Sequence, residues 1–104
     1  MARLTLAFVL ASTLLGSIAF AETQAEIANR ENEEGKQLMF AGKYADASAK
    51  FRDAAARTNE GKYYFNLCTS LYQEGKFGEA LTSCNTANQN APDDTLKTKV
   101  AKLE

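Results

Sequence analysis

Two hexapeptides of one form, Gly42-Lys43-Tyr44-Ala45-Asp46-Ala47 and Gly75-Lys76-Phe77-Gly78-Glu79-Ala80, recur within a single short chain. A Gly-Lys-aromatic-x-acidic-Ala segment repeated at a fixed offset restricts the chain to similar units that stack on one another. Each hexapeptide lies between two segments of helix length. Gly supplies the left-handed backbone that ends one helix, and the aromatic two places on opens the buried face of the next. The unit is therefore an antiparallel helical hairpin. Small residues at Gly35 and Ala47, and at Cys68 and Ala80, let paired helices approach closely, while Phe51, Tyr64, Leu67 and Leu71 fill the space between pairs.

Composition agrees with helices. From Glu22 onward the chain has 13 Ala and 8 Phe or Tyr against 8 Val, Ile or Leu, which is poor material for a sheet. The fold class expected is all-α. Thr23 with Glu26 has the form of a capping box, so a first helix starts there and runs to about Phe40. Its polar run from Glu31 to Gln37 suits an edge helix with one face in solvent. After Pro92, the pair Asp93-Asp94 caps a last helix from Thr95. Leu96, Val100 and Leu103 share one side of it and Lys97, Lys99 and Lys102 the other, as in a helix that closes the end of an array.

The segment from Met1 to Ala21 reads differently. Arg3 is followed by an uncharged run from Leu4, then Ala19-Phe20-Ala21, the small-x-small pattern of a signal-peptidase site. Cleavage before Glu22 is expected, and with it an exported, periplasmic or secreted protein. The alternative is an uncleaved membrane anchor, since Leu4 to Ala21 is just long enough to cross a bilayer. The chain then divides into a signal peptide (1–21), a first hairpin with an N-terminal extension (22–60), a second hairpin (61–92) and a capping helix (93–104).

The second unit, counted from Gly61, carries Tyr64, Leu67, Cys68, Leu71, Gly75, Phe77, Ala80, Ala87 and Pro92. That pattern resembles the tetratricopeptide repeat, a degenerate unit of about 34 residues; Cys84 stands where the family has Phe. The first unit, counted from Ala28, keeps Gly35, Leu38, Gly42, Tyr44, Ala47, Phe51 and Ala54, has Glu31 and Glu34 in place of large apolar residues and Asn59 in place of Pro, and is one residue short. The resemblance covers about Ala28 to Pro92 and implies an α-solenoid. It also implies that the first helix of each unit lines a concave groove. The groove residues so implied are Asn29, Asn32, Lys36, Met39 and Phe40 in the first unit, and Lys62, Phe65, Asn66, Thr69, Tyr72 and Gln73 in the second. Amide, ammonium and aromatic groups together suit an extended peptide. The same residues also read as part core and part solvated face. Some family members grip a C-terminal carboxylate with Lys and Asn at set places; here Asn32 and Lys36 have those types exchanged, which argues against that ligand.

Cys68 and Cys84 lie at equal distances from residue 76, beside the turn Gly, so an antiparallel hairpin sets them opposite each other. In an exported chain with an even Cys count a disulfide is expected; two buried thiols are the alternative, because small residues are wanted at both places.

Function classes are pruned by what is missing. The chain has no His, the commonest general acid/base, and adjacent carboxylates such as Glu33-Glu34 or Asp93-Asp94 do not face each other on a helix. A net charge of −1 offers no footprint for nucleic acid. No metal or cofactor is implied and no enzyme is expected. The leading expectation is a non-catalytic module that binds or scaffolds a protein or peptide. The alternative is a membrane-tethered or self-associating accessory subunit using an uncleaved N-terminal helix, the only case in which a membrane is a partner.

Overall fold

The computed structural model describes residues 21–91 and 94–103, with the backbone alone at 94–96. The expected signal segment up to Phe20, and the expectations on Pro92, Asp93 and Glu104, lie outside the described residues. Those residues are all-helical: α1 Gln24–Phe40, α2 Tyr44–Thr58, α3 Gly61–Gln73, α4 Phe77–Gln89 and α5 Asp94–Leu103. None of these helices is long and apolar enough to cross a membrane. Each packs chiefly against its neighbours in sequence, with α5 also touching α3.

The two hexapeptides make one turn twice. Gly42 has φ 75° and Gly75 φ 81°. Around the first, Gly42 N–H donates to Met39 O (3.0 Å) and Lys43 N–H to Leu38 O (2.9 Å); around the second, Gly75 N–H donates to Tyr72 O (3.0 Å) and Lys76 N–H to Leu71 O (2.9 Å). This pair of bonds satisfies the last carbonyls of a helix through a left-handed residue, which costs any side chain except hydrogen about 1–2 kcal/mol. Lys43 and Lys76 then begin the next helix with matching backbone, φ −91°, ψ 68° and φ −89°, ψ 69°. At the other end of the chain, Thr23 caps α1 by accepting from Glu26 N–H at 3.1 Å.

The main core joins Ala47, Phe51, Leu67, Cys68, Leu71, Ala80, Cys84, Ala87 and Val100; a smaller one joins Ala28, Ala54, Ala55 and Tyr63. The Cys68–Cys84 disulfide is formed, with Cα atoms 5.3 Å apart, and ties α3 to α4. The repeat offset also reaches α5. This helix begins as far beyond the start of α3 as Gly75 lies beyond Gly42, and its buried Val100 stands in the register of buried Leu67.

Tyr64 is half-buried and packs against both cores, as expected of a residue between hairpins, with its hydroxyl donating to Asn59 Oδ1 (2.5 Å) at the end of α2; its neighbour Tyr63, which the sequence did not single out, is fully buried. The polar stretch of α1 keeps Glu33, Lys36 and Gln37 in solvent, while its other face buries Glu31, Asn32 and Gly35. Each has a partner that makes burial tolerable. Glu31 accepts from Arg57 Nε at 2.7 Å, Asn32 accepts from Asn66 at 2.8 Å, and Gly35 leaves room for the Phe51 ring.

Candidate functional site

The end of α1, the face of α2 that meets it and one stripe of α3 enclose a groove of about 470 Å³, lined by Lys36, Met39, Phe40, Tyr44, Phe51, Asn66, Thr69 and Gln73. The α3 contribution follows from helix periodicity, because residues 66, 69 and 73 fall at i, i+3 and i+7 on one side. Asn66 is held from below: its Nδ2 donates to Oδ1 of buried Asn32. Thr69 donates to Phe65 O at 3.0 Å, leaving its oxygen as an acceptor toward the groove. Lys36 lies 2.9 Å from Glu33 Oε1 with both side chains about half exposed, a contact weak enough for a ligand to compete with. Phe40 is 90% exposed, so its ring has no packing partner of its own.

Six of the eleven expected residues therefore meet in this groove: Lys36, Met39, Phe40, Asn66, Thr69 and Gln73. The others are placed elsewhere. Asn29 is exposed away from it, and Asn32 is buried beneath it as the support of Asn66. Lys62 lies over the Tyr63 ring, 5.2 Å from its centre, and 3.7 Å from Glu60. Phe65 packs against the main core.

Tyr72 lines a second groove of about 370 Å³ with Cys68, Phe77, Ala80, Leu81, Cys84 and Leu103. Its ring meets Phe77 edge-on, with centres 5.2 Å apart. Residues 68 and 72 lie one turn apart on a different stripe of α3 from Asn66 and Gln73, so this helix serves as wall to both grooves. The second groove is the first repeated: Met39, Tyr44 and Phe51 of one correspond to Tyr72, Phe77 and Cys84 of the other at the repeat offset. Sequence reasoning left out Tyr44, Phe51, Phe77, Leu81 and Leu103 as lining residues. The signal for Tyr44 and Phe77 was the hexapeptide itself, because the aromatic that opens the second helix of each hairpin also faces the space between hairpins.

The chemistry available is that of amides, hydroxyls, an ammonium group and aromatic rings. Hydrogen bonding to a peptide backbone and enclosure of apolar side chains fit that set. The charged groups whose titration the fold moves lie elsewhere: Glu34 Oε2 and Lys50 Nζ pair at 2.8 Å between α1 and α2, which holds the Glu34 carboxyl below its ordinary value and Lys50 above its own. Among the described residues no group of three or more Cys, Asp or Glu side chains is placed to hold a metal ion. No protein-family model matches the chain, and no curated protein and no solved structure matches it.

Proposed function

We propose that the chain is an exported, non-catalytic module of the tetratricopeptide type that binds an extended segment of a partner protein along its concave face. The observation that carries this reading is the first groove, where polar groups of α1 and α3 stand around an apolar floor on two helices that the repeat makes equivalent. The twin left-handed turns and the common register of α1/α2, α3/α4 and α5 support the solenoid reading. The disulfide suits an oxidising compartment and so supports export. Peptide selection by phage display on the oxidised protein tests the function. Selected peptides are expected to lose affinity about tenfold or more against Lys36→Ala/Gln73→Ala, which removes two exposed groove side chains and leaves the Asn66–Asn32 bond in place. Peptides that bind the variant as well as the parent would place the site off this groove.

A further inference from the structure

We propose that the second groove binds an internal acidic segment of a partner protein that presents large apolar side chains between its carboxylates. This rests on the peptide-binding reading above and names the chemistry of the segment and where it lies. Five large apolar residues are exposed among the described residues, and four of them, Tyr72, Phe77, Leu81 and Leu103, gather in this one recess; they are 41–61% exposed. Scattered apolar side chains are ordinary on a surface, whereas a contiguous group lining a concavity marks a contact. At about 370 Å³ the recess is of the size that encloses side chains. Its floor is the disulfide, which fixes the spacing of the α3 and α4 walls before anything binds.

Charge selects the occupant. The first groove offers Asn66 and Thr69 from α3; at the repeat offset, the same register places of α5 are Lys99 and Lys102, both exposed and in no ion pair among the described residues. Lys99 is one helical turn from Leu103, and on the opposite wall Lys76 precedes Phe77. The nearby acid, Glu74, is largely buried, accepting from Ser48 at 2.6 Å and lying 3.5 Å from Lys76. The recess is thus apolar in its lining, with Lys99 one turn from it on α5 and Lys76, 3.5 Å from Glu74, beside it at the start of α4. Carboxylates spread along a segment match cations that are spread in this way, with apolar residues between them filling the floor. A second copy of this chain seated on the same recess would bring lysine against lysine across a two-fold axis.

The test uses three short peptides, all blocked at both ends so that no terminal carboxylate is present. One alternates Leu and Phe with Glu, one alternates them with Lys, and one keeps the Glu but replaces Leu and Phe by Ser. Amide shifts of the isotope-labelled, oxidised protein report binding. The Glu peptide with Leu and Phe is expected to bind about tenfold or more above the other two and to move the amides of Cys68, Tyr72, Phe77 and Leu103. Lys99→Glu/Lys102→Glu is expected to weaken it by a similar factor with far-UV circular dichroism unchanged, and exposed Leu81→Glu to do the same from the other wall. Shifts confined to Asn66, Thr69 and Gln73 overturn this proposal and leave the peptide-binding reading standing; no shift in either groove overturns both. Equal binding of the Lys peptide, the same shifts with phosphatidylglycerol vesicles and not with peptide, or a sedimenting dimer that covers these residues also overturns it.

Discussion

The Phe51 ring fills the space that a side chain on residue 35 would need: a Cβ built on Gly35 stands 2.5 Å from Phe51 Cε1 and 2.7 Å from Cδ1. Phe51 is 1% exposed and packs within the main core at the edge of the first groove. Gly35→Ala sets two effects against each other. Alanine improves helix propensity by about 1 kcal/mol, while overpacking a filled core costs about 1–3 kcal/mol. At these distances the ring has to shift against its core neighbours, so the clash outweighs the helix gain, and a net loss of about 1–2 kcal/mol is expected from urea unfolding. Phe51→Leu should cost less in the Gly35→Ala background than in the parent. Strict additivity of the two changes would show that the ring does not press on residue 35.

The Cys68–Cys84 bond closes a loop over 16 positions of sequence around the turn at Gly75. Cross-linking a loop of that size removes unfolded-chain entropy equivalent to roughly 3 kcal/mol. In a domain this small, that is a large fraction of all the stability there is. Thermal unfolding with and without a phosphine reductant is expected to differ by roughly 12–24 °C, at about 4–8 °C per kcal/mol. Cys68→Ala/Cys84→Ala, which keeps small residues in both places, should fall near the reduced protein. A difference of a few degrees only would mean that close packing of α3 and α4, not the bond, holds the second hairpin.

These two pairs show what a sequence of this kind discloses. The turns at Gly42 and Gly75 and the opposition of Cys68 and Cys84 depend on residues close together around one turn, so their geometry is written in local spacing. Six residues that line the first groove were among those implied by the tetratricopeptide resemblance, and the offset between the two turns carries Lys36 onto Thr69 and Phe40 onto Gln73. Burial of Glu31 and Asn32 was not legible. It depends on Arg57, 26 positions away, and Asn66, 34 positions away, on two other helices. Hydropathy treats both residues as solvent-facing, because a lone polar side chain carries no mark of a distant partner. Tyr63 and Tyr64 are adjacent residues of one type, and the sequence alone does not show that Tyr63 is fully buried while the hydroxyl of Tyr64 donates to Asn59 at the end of α2.

Glu31 and Arg57 form a pair with unequal halves. The Glu31 side chain is 10% exposed and that of Arg57 36%, and Glu31 Oε2 is buried without a hydrogen-bond partner. Removing the cation leaves a carboxylate in the interior with neither oxygen satisfied. Arg57→Ala is therefore expected to destabilise by about 2 kcal/mol, below the roughly 3–5 kcal/mol of a fully buried pair because Arg57 keeps contact with water. Glu31→Leu/Arg57→Met replaces the pair by apolar side chains of similar reach. It should come within about 1 kcal/mol of the parent, or exceed it, since the desolvation cost disappears together with the attraction. If the double variant is as unstable as Arg57→Ala, the pair contributes more than it costs and the orphaned oxygen is of no consequence.

Alkaline stability turns on Tyr63. Burial raises its pKa above the ordinary 10.0, and the carboxylate of Glu60 adds to the rise. The folded protein holds the phenol proton to higher pH than the unfolded chain does. Its contribution is complete below about pH 10 and is lost as pH climbs from there through the raised folded value, because the unfolded chain releases the proton first. Lys50, raised above 10.5 by its hydrogen bond to Glu34, loses its own contribution in the same direction. Both are separable by mutation. Tyr63→Phe cannot ionise, so its unfolding free energy should fall less steeply above about pH 10 than that of the parent, while Lys50→Met retains the Tyr63 slope and flattens only its own part. At the acid end the sign reverses for Glu34: its lowered pKa gives a contribution present above 4.5 and lost as pH drops below it, and Glu34→Gln should remove it. Urea titrations at closely spaced pH values measure all three slopes. A Tyr63→Phe protein with the parent's alkaline slope would place the phenol in contact with water in the folded state and overturn the assignment of Tyr63 to the core.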